Sequence, residues 1–333
     1  MADDTRYAYA VARVRGMETR LLDRQWTERL LSESADGALK ALGDSAFQHA
    51  VADVAHPSEI EKGLLLAMTE TLTTVAEISP EPELIDLFRL RADYANAKAL
   101  LKATVLKMDE GEFGTTDGAG TLPLSTLEAA IRDKDMMQMP GFLTEAVRDA
   151  EAAYRDDTRL ASIDRVLDNA LWARSLEVAR EYNNAFLVDY FQREIDLTNI
   201  RTFVRMKVAG RDIADFETAF IAGGTIDLAS FKTLFGETMD VFARSLEYGR
   251  YGGVAEAVRE WSSERAFALE LACDNVLLKT AEQAKTIPYG IEPLVAFILM
   301  RTIEIKLVRA AFVAKLDGVE RSVVEGRLRS THV

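Results

Sequence analysis

The feature that most constrains the fold of this chain is its similarity to itself. Displaced by 103 residues, Ile60-Glu61-Lys62 stands against Ile163-Asp164-Arg165, Leu64 against Leu167, Ala67 against Ala170 and Phe88 against Phe191. The same displacement sets Asp93 on Asp196, Asn96 on Asn199 and Lys98 on Arg201. One residue out of step, Gly120-Thr121-Leu122-Pro123-Leu124 continues against Gly224-Thr225-Ile226-Asp227-Leu228. A third stretch follows, pairing Asp168-Asn169-Ala170-Leu171 with Asp274-Asn275-Val276-Leu277 and Phe191 with Phe297. With two extra residues Asp196 meets Glu304, Arg201 meets Arg309 and Gly210 meets Gly318. The matches mix apolar with charged positions, so helical periodicity alone does not produce them. A unit of this length exceeds the familiar helical solenoid repeats of about 20–50 residues. The expectation is three similar helical domains, over residues 1–115, 116–222 and 223–333. Glycines near the joins, in the stretch Gly111 to Gly120 and at Gly223-Gly224, suit turns or hinges.

The apolar spacing is helical. Leu84, Leu87, Phe88, Ala92, Ala95 and Ala99 keep three- and four-residue intervals, as do Leu294, Phe297, Ile298, Ile305, Val308 and Phe312. No comparably long alternation of period two is present, so the fold class expected is all-α. The seven prolines, Pro57, Pro80, Pro82, Pro123, Pro140, Pro288 and Pro293, stand where helices begin.

Charge and motif content exclude several function classes. Fifty-four acids against 40 bases give a formal charge of −14, a balance that repels phosphate backbones and anionic lipid alike. The single cysteine, Cys273, rules out an internal disulfide framework and fits a reducing compartment. The opening Met1-Ala2-Asp3-Asp4-Thr5 lacks the basic and apolar regions of a secretory signal, which predicts a cytoplasmic protein. The longest apolar run, Ile291 to Met300, contains Glu292 and Pro293 and falls short of the roughly 20 residues that span a bilayer. His49, His56 and His332 lack metal-pair spacing, and neither a phosphate loop nor a dinucleotide fingerprint is present, so no metal, cofactor or catalytic residue is assigned. Acid pairs such as Asp3-Asp4, Asp133/Asp135 and Asp156-Asp157 read better as helix starts or solvated loops than as a magnesium site. Tyr248-Gly249-Arg250-Tyr251-Gly252-Gly253 reads as a helix end followed by turn glycines rather than a ligand loop.

What recurs is a polar triplet: an acid, an amide three residues on, and a base two residues later. It runs Asp93-Asn96-Lys98, then Asp196-Asn199-Arg201, then Glu304-Leu307-Arg309, where leucine replaces the amide. On a helix, acid and amide share a face while the base lies about 140° round from the acid at ~100° per residue. An i,i+4 surface pair within the triplet is therefore excluded. The charges must find partners on other helices, in water, or on another protein of a complex, either as a polar register device at a domain junction or as a lining that meets a partner.

The stretch Tyr289-Gly290-Ile291-Glu292-Pro293-Leu294 through Glu304-Ile305-Lys306-Leu307-Val308-Arg309 to Ala314-Lys315-Leu316-Asp317-Gly318 resembles the C subunit of rotary V/A-type ATPases, the d subunit of eukaryotes. So do Tyr7-Ala8-Tyr9-Ala10-Val11-Ala12-Arg13-Val14-Arg15 and Asn199-Ile200-Arg201-Thr202-Phe203, and the resemblance extends over the chain. It implies three similar helical domains arranged as a funnel and a non-catalytic central-stalk socket. Such a socket would receive the D and F shaft subunits, sit on the membrane proteolipid ring, and pass torque between ATP chemistry and proton or sodium transport. The competing expectations are a free-standing helical adaptor or scaffold, and an all-α enzyme using paired carboxylates with a divalent metal.

Overall fold

The computed structural model describes residues 5–108, 114–262 and 265–319. Among these it forms sixteen α-helices and no strand, so the chain is all-α. In chain order they are α1 (Ala8–Glu18), α2 (Arg24–Ser32), α3 (Ala35–Leu42), α4 (Gln48–Val51), α5 (Ile60–Ile78) and α6 (Pro82–Leu106). Next come α7 (Leu124–Arg132), α8 (Gly141–Asp157), α9 (Leu160–Glu181), α10 (Ala185–Val208), α11 (Ile213–Ala219) and α12 (Leu228–Phe235). The last four are α13 (Met239–Glu247), α14 (Gly252–Arg259), α15 (Ala266–Lys285) and α16 (Glu292–Leu316).

Local chemistry explains the boundaries. Side chains of Asp23, Ser34, Asn184, Asp212 and Asp227 each accept a hydrogen bond from the backbone N–H three residues on, satisfying one of the free donors that open α2, α3, α10, α11 and α12. Pro82 is the first residue of α6, Pro123 and Pro140 immediately precede α7 and α8, and Pro293 is the second residue of α16. At these positions the missing N–H leaves no helix bond broken. Asp157 ends α8, and its carboxylate accepts from Arg159 N and Ser162 Oγ at the start of α9. Thr158 between them takes the left-handed conformation with φ 56°. Tyr248 to Tyr251 form the turn between α13 and α14, with Tyr248 exposed and Tyr251 buried.

Two compact units result. One takes residues 1–85 and 243–333, from opposite parts of the chain; the other takes residues 86–242. In the first, α15 packs along α16, α5 crosses α16, and α1 lies on both α5 and α16. A core cluster of this unit, drawn from α2 to α5 and α16, joins Leu22, Leu30, Leu42, Phe47, Val51, Ile60 and Leu64 to Ile305, Leu307, Val308 and Phe312. Burying each such side chain contributes roughly 1.5–3 kcal/mol. Every residue from Leu294 to Leu299 is buried, which explains the apolar run at the start of α16: it is a core helix surrounded on all sides. Among the described residues no helix is long and apolar enough to cross a membrane.

In the second unit α8 and α10 pack on α9, and α11 and α12 pack on α10. Phe203 of α10 sits edge-on to Phe216, their centroids 5.4 Å apart, and also touches Phe231, Phe235 and Phe242. A second aromatic group joins Phe88, Trp172, Tyr190 and Phe191. Offset and edge-on ring pairs of this kind add about 0.5–1.5 kcal/mol each beyond their area.

Candidate functional site

The triplets lie on α6, α10 and α16, and their acids are buried: Asp93 and Asp196 are fully buried and Glu304 nearly so. Asp93 accepts hydrogen bonds from Thr121 N (3.0 Å), Thr121 Oγ1 (2.6 Å) and Leu122 N (3.2 Å). Asp196 accepts the same set one match later, from Thr225 N (2.9 Å), Thr225 Oγ1 (2.5 Å) and Ile226 N (3.0 Å). The amides repeat as well. Asn96 donates to Thr116 O and accepts from Thr116 N, both at 2.8 Å. Asn199 donates to Ile221 O at 2.8 Å and accepts from Ile221 N at 3.0 Å. Each acid and amide together therefore grip the connecting segment that leads into the next helix.

Glycine makes this grip geometrically possible. A Cβ at Gly120 would lie 2.0 Å from Asp93 Oδ1, and one at Gly224 would lie 2.1 Å from Asp196 Oδ1. Both distances are far inside contact, so the carboxylate approaches the backbone where only hydrogen fits.

Glu304 performs a related job with different partners. It accepts from Leu22 N, and Arg301 Nη1 donates to it at 2.6 Å. Leu22 stands two residues ahead of α2, as Leu122 stands ahead of α7 and Ile226 ahead of α12. All three acids thus hold the entry turn of a helix, and Glu304 does so across 282 positions. Leu307, which replaces the amide, is buried in the apolar core of its unit. The segment before Leu22 is the helix α1 and its closing turn, whereas those before Leu122 and Ile226 are irregular chain, so the third junction differs from the other two where the amide is missing.

Two of the three bases, Lys98 and Arg309, reach other helices. Lys98 Nζ lies 2.6 Å from Asp168 on α9, and Lys102 likewise 2.6 Å from Asp164. Arg309 holds Glu61 of α5 with two bonds, at 2.8 and 3.0 Å. Arg201 acts electrostatically on Glu194 of its own helix. On α6 and α16 the angular separation of acid from base corresponds to two different neighbours.

Protonation follows burial and partners. Burial raises the Asp93 carboxyl against the opposing Thr121 and Leu122 hydrogen bonds, and raises Glu304 against the opposing charge of Arg301. Burial would also push Glu194 up, but Arg91, the Tyr190 hydroxyl and Arg201 outweigh it and hold the carboxylate below its ordinary range. Arg91 Nη2 donates to Glu194 at 3.0 Å, and Tyr190 Oη donates to it at 2.5 Å.

Among the described residues no group of three or more His, Cys, Asp or Glu side chains is placed to hold a metal. His49 pairs with Glu70, and Cys273 is buried. Asp3-Asp4, Gly111 and His332 lie outside the described residues. The internal repeat sets Gly120-Thr121 against Gly224-Thr225 but does not by itself connect either pair to the acids. Their recurrence at a nearly fixed distance after Asp93 and Asp196 is the signal that could have found them. Glu61 and Asp164 are matched with each other by the repeat, and Asp168 with Asp274, so these acids recur too, whereas Leu22 carries no such signal.

These features define a class: an all-helical protein whose buried polar side chains hold its own helix junctions. Residues 10–327 match the model of the ATP synthase (C/AC39) subunit family. The C subunit of the V-type sodium ATPase of Enterococcus hirae is 22% identical, over 96% of this chain and 97% of that protein. The C subunit of the A-type ATP synthase of Thermococcus onnurineus is 26% identical over 95% and 88%, and that of Methanococcoides burtonii 22% identical over 97% and 94%. The chain belongs to the ATP synthase (C/AC39) subunit family.

Proposed function

We propose that this protein is the non-catalytic central-stalk component of a V/A-type rotary ATPase, a socket between the D and F shaft subunits and the membrane proteolipid ring. The observation that carries the reading is the family match over residues 10–327, together with relatives named as C subunits of such enzymes and aligned along nearly their whole length. The protein transmits torque for ATP-coupled ion transport and performs neither the hydrolysis nor the translocation. It works at the cytoplasmic face of the membrane, held there by its partners. Its three repeats, over 1–115, 116–222 and 223–333, arose from one ancestral helical unit, and the triplets on α6, α10 and α16 are their shared junction device.

The physical support is stiffness. A part that passes torque loses work to every soft joint, and a junction held by a buried carboxylate with three donors and by a two-bond amide is hard to shear. The test is co-purification. Tagged at its native level and taken from gently solubilised membranes, the protein is expected to bring catalytic-head, shaft and proteolipid components in fixed proportion. Recovery alone, or with unrelated partners only, would establish an adaptor role instead.

A further inference from the structure

We infer that the groove between α14 and α15, beside Asn275, is a binding site for an extended segment of another protein. The repeat matches Asn275 with Asn169 of α9, and the residues just ahead of them behave alike: Asp168 takes Lys98 and Asp274 takes Lys306, each at 2.6 Å. Asn169 shows what such an asparagine holds. Its Nδ2 donates to Phe220 O at 3.3 Å and to Arg165 O, one turn back on its own helix, at 3.0 Å, while its Oδ1 accepts from Ala222 N at 3.1 Å. Ile221, between them, turns its own N–H and C=O the other way, to Asn199. Backbone groups that alternate in this manner belong to an extended chain, here held along both edges.

Among the described residues Asn275 has no such segment. Its Oδ1 is buried and meets no donor, an arrangement that costs stability unless something else supplies one. Beside it lies a groove of about 480 Å³, lined by Gly253 and Ala257 of α14 and by Ala268, Leu271 and Ala272 of α15. Side chains this small let another backbone approach to hydrogen-bonding distance. A half-turn of the Asn275 amide about its last torsion exchanges oxygen with nitrogen in the same space. It sets the nitrogen toward the carbonyl one turn back and the oxygen toward an incoming N–H, which is the arrangement Asn169 already has. The rim charges are occupied, Glu256 with Arg259 and Glu260 with Arg265, so the groove selects by backbone and shape rather than by charge. Leu307 stands where Asn199 holds the second edge, so the occupant is held along one edge only and binds reversibly. The chemistry that fits is an extended, uncharged stretch of polypeptide with small or apolar side chains.

The probe is a capped peptide of residues 218–224, Thr-Ala-Phe-Ile-Ala-Gly-Gly, made with 4-fluorophenylalanine, because it is the segment that Asn169 holds. Fluorine NMR of this peptide, titrated with the full chain, is expected to show saturable binding with a Kd on the order of 1 mM or tighter. Asn275→Leu removes the acceptor, and Ala272→Met fills the groove while leaving the amide in place. Each is expected to weaken binding by about ten-fold or more, as is N-methylation of the peptide nitrogen that corresponds to Ala222. Thermal unfolding separates a binding residue from a structural one: Asn275→Leu is expected to keep the midpoint of the unsubstituted protein, whereas Asn169→Leu lowers it by freeing the loop. The inference is overturned if no saturable binding is seen, or if the N-methylated peptide binds as well as the first. It is equally overturned if Asn275→Leu lowers the midpoint as far as Asn169→Leu does. Should the full chain ignore the peptide and a chain ending at Val319 bind it, the groove belongs to the protein's own residues 320–333 and a partner site is excluded. None of these outcomes depends on whether the protein serves a rotary enzyme.

Discussion

Replacing Gly224 with alanine adds one carbon where the fold has no space for it. The new Cβ would lie 2.1 Å from Asp196 Oδ1, 2.9 Å from its Cγ and 3.2 Å from Ile195 Cγ2. Asp196 and Ile195 are both fully buried on α10, so neither swings aside into water. The loop must move instead, pulling Thr225 N, Thr225 Oγ1 and Ile226 N off the carboxylate. Hydrogen bonds to a charged group contribute about 1.5–3 kcal/mol each, and a buried carboxylate left short of donors adds its own desolvation penalty. Allowing for partial retention, the expected loss is about 3–5 kcal/mol. Gly16→Ala is the matched control: nothing lies within 4 Å of its Cβ, and alanine inside a helix is favoured by roughly 0.5–1 kcal/mol. Urea unfolding followed by helical circular dichroism measures both. A Gly224→Ala midpoint within error of the unsubstituted protein would refute the claim that the carboxylate grip carries this junction.

The amide grip predicts that Asn199→Leu, which copies the residue found at position 307, costs about 2–4 kcal/mol by leaving buried Ile221 N and O without partners. Retained stability in the same urea assay would contradict it. Arg201→Glu puts a like charge where Arg201 now favours the Glu194 carboxylate, and is expected both to lower the thermal midpoint of the isolated protein and to impair assembly, with ATP hydrolysis by the detached head intact. A normal midpoint with lost ion pumping would instead make Arg201 a partner contact, and no change in either would deny it both roles. Glu194 has a depressed folded-state pKa, so its stabilisation is full above the ordinary value of 4.5 and is lost as pH falls through the lower folded value. Glu194→Gln is therefore expected to lower stability at neutral pH and to flatten its decline below about pH 4.5, and an unaltered acid slope in urea midpoints would show that the Arg91–Tyr190–Glu194 cluster does not act this way.

The sequence by itself determined the helical class, many helix boundaries and the recurrence of the polar groups. These are local properties: apolar spacing near 3.6, capping side chains such as Asp23 and Asp227, and prolines that begin α6 and α16 act within a few residues. It also determined, from angles on a single helix, that the acids and bases of the triplets could not pair with each other. Tertiary structure alone decided where each went. Asp93 reaches a backbone 28 residues on, Glu304 one 282 residues away, and Arg309 a glutamate 248 residues away. The first of these recurs after Asp196 and so left a trace in the sequence, but the contact across 282 positions left none, because hydrogen-bond partners are selected by proximity after the helices have packed. The replacement of an amide by Leu307 shows the division most clearly. In the sequence it is a broken pattern; in the fold Leu307 is part of the apolar core, and the segment ahead of Leu22 is the helix α1 where the other junctions have irregular chain.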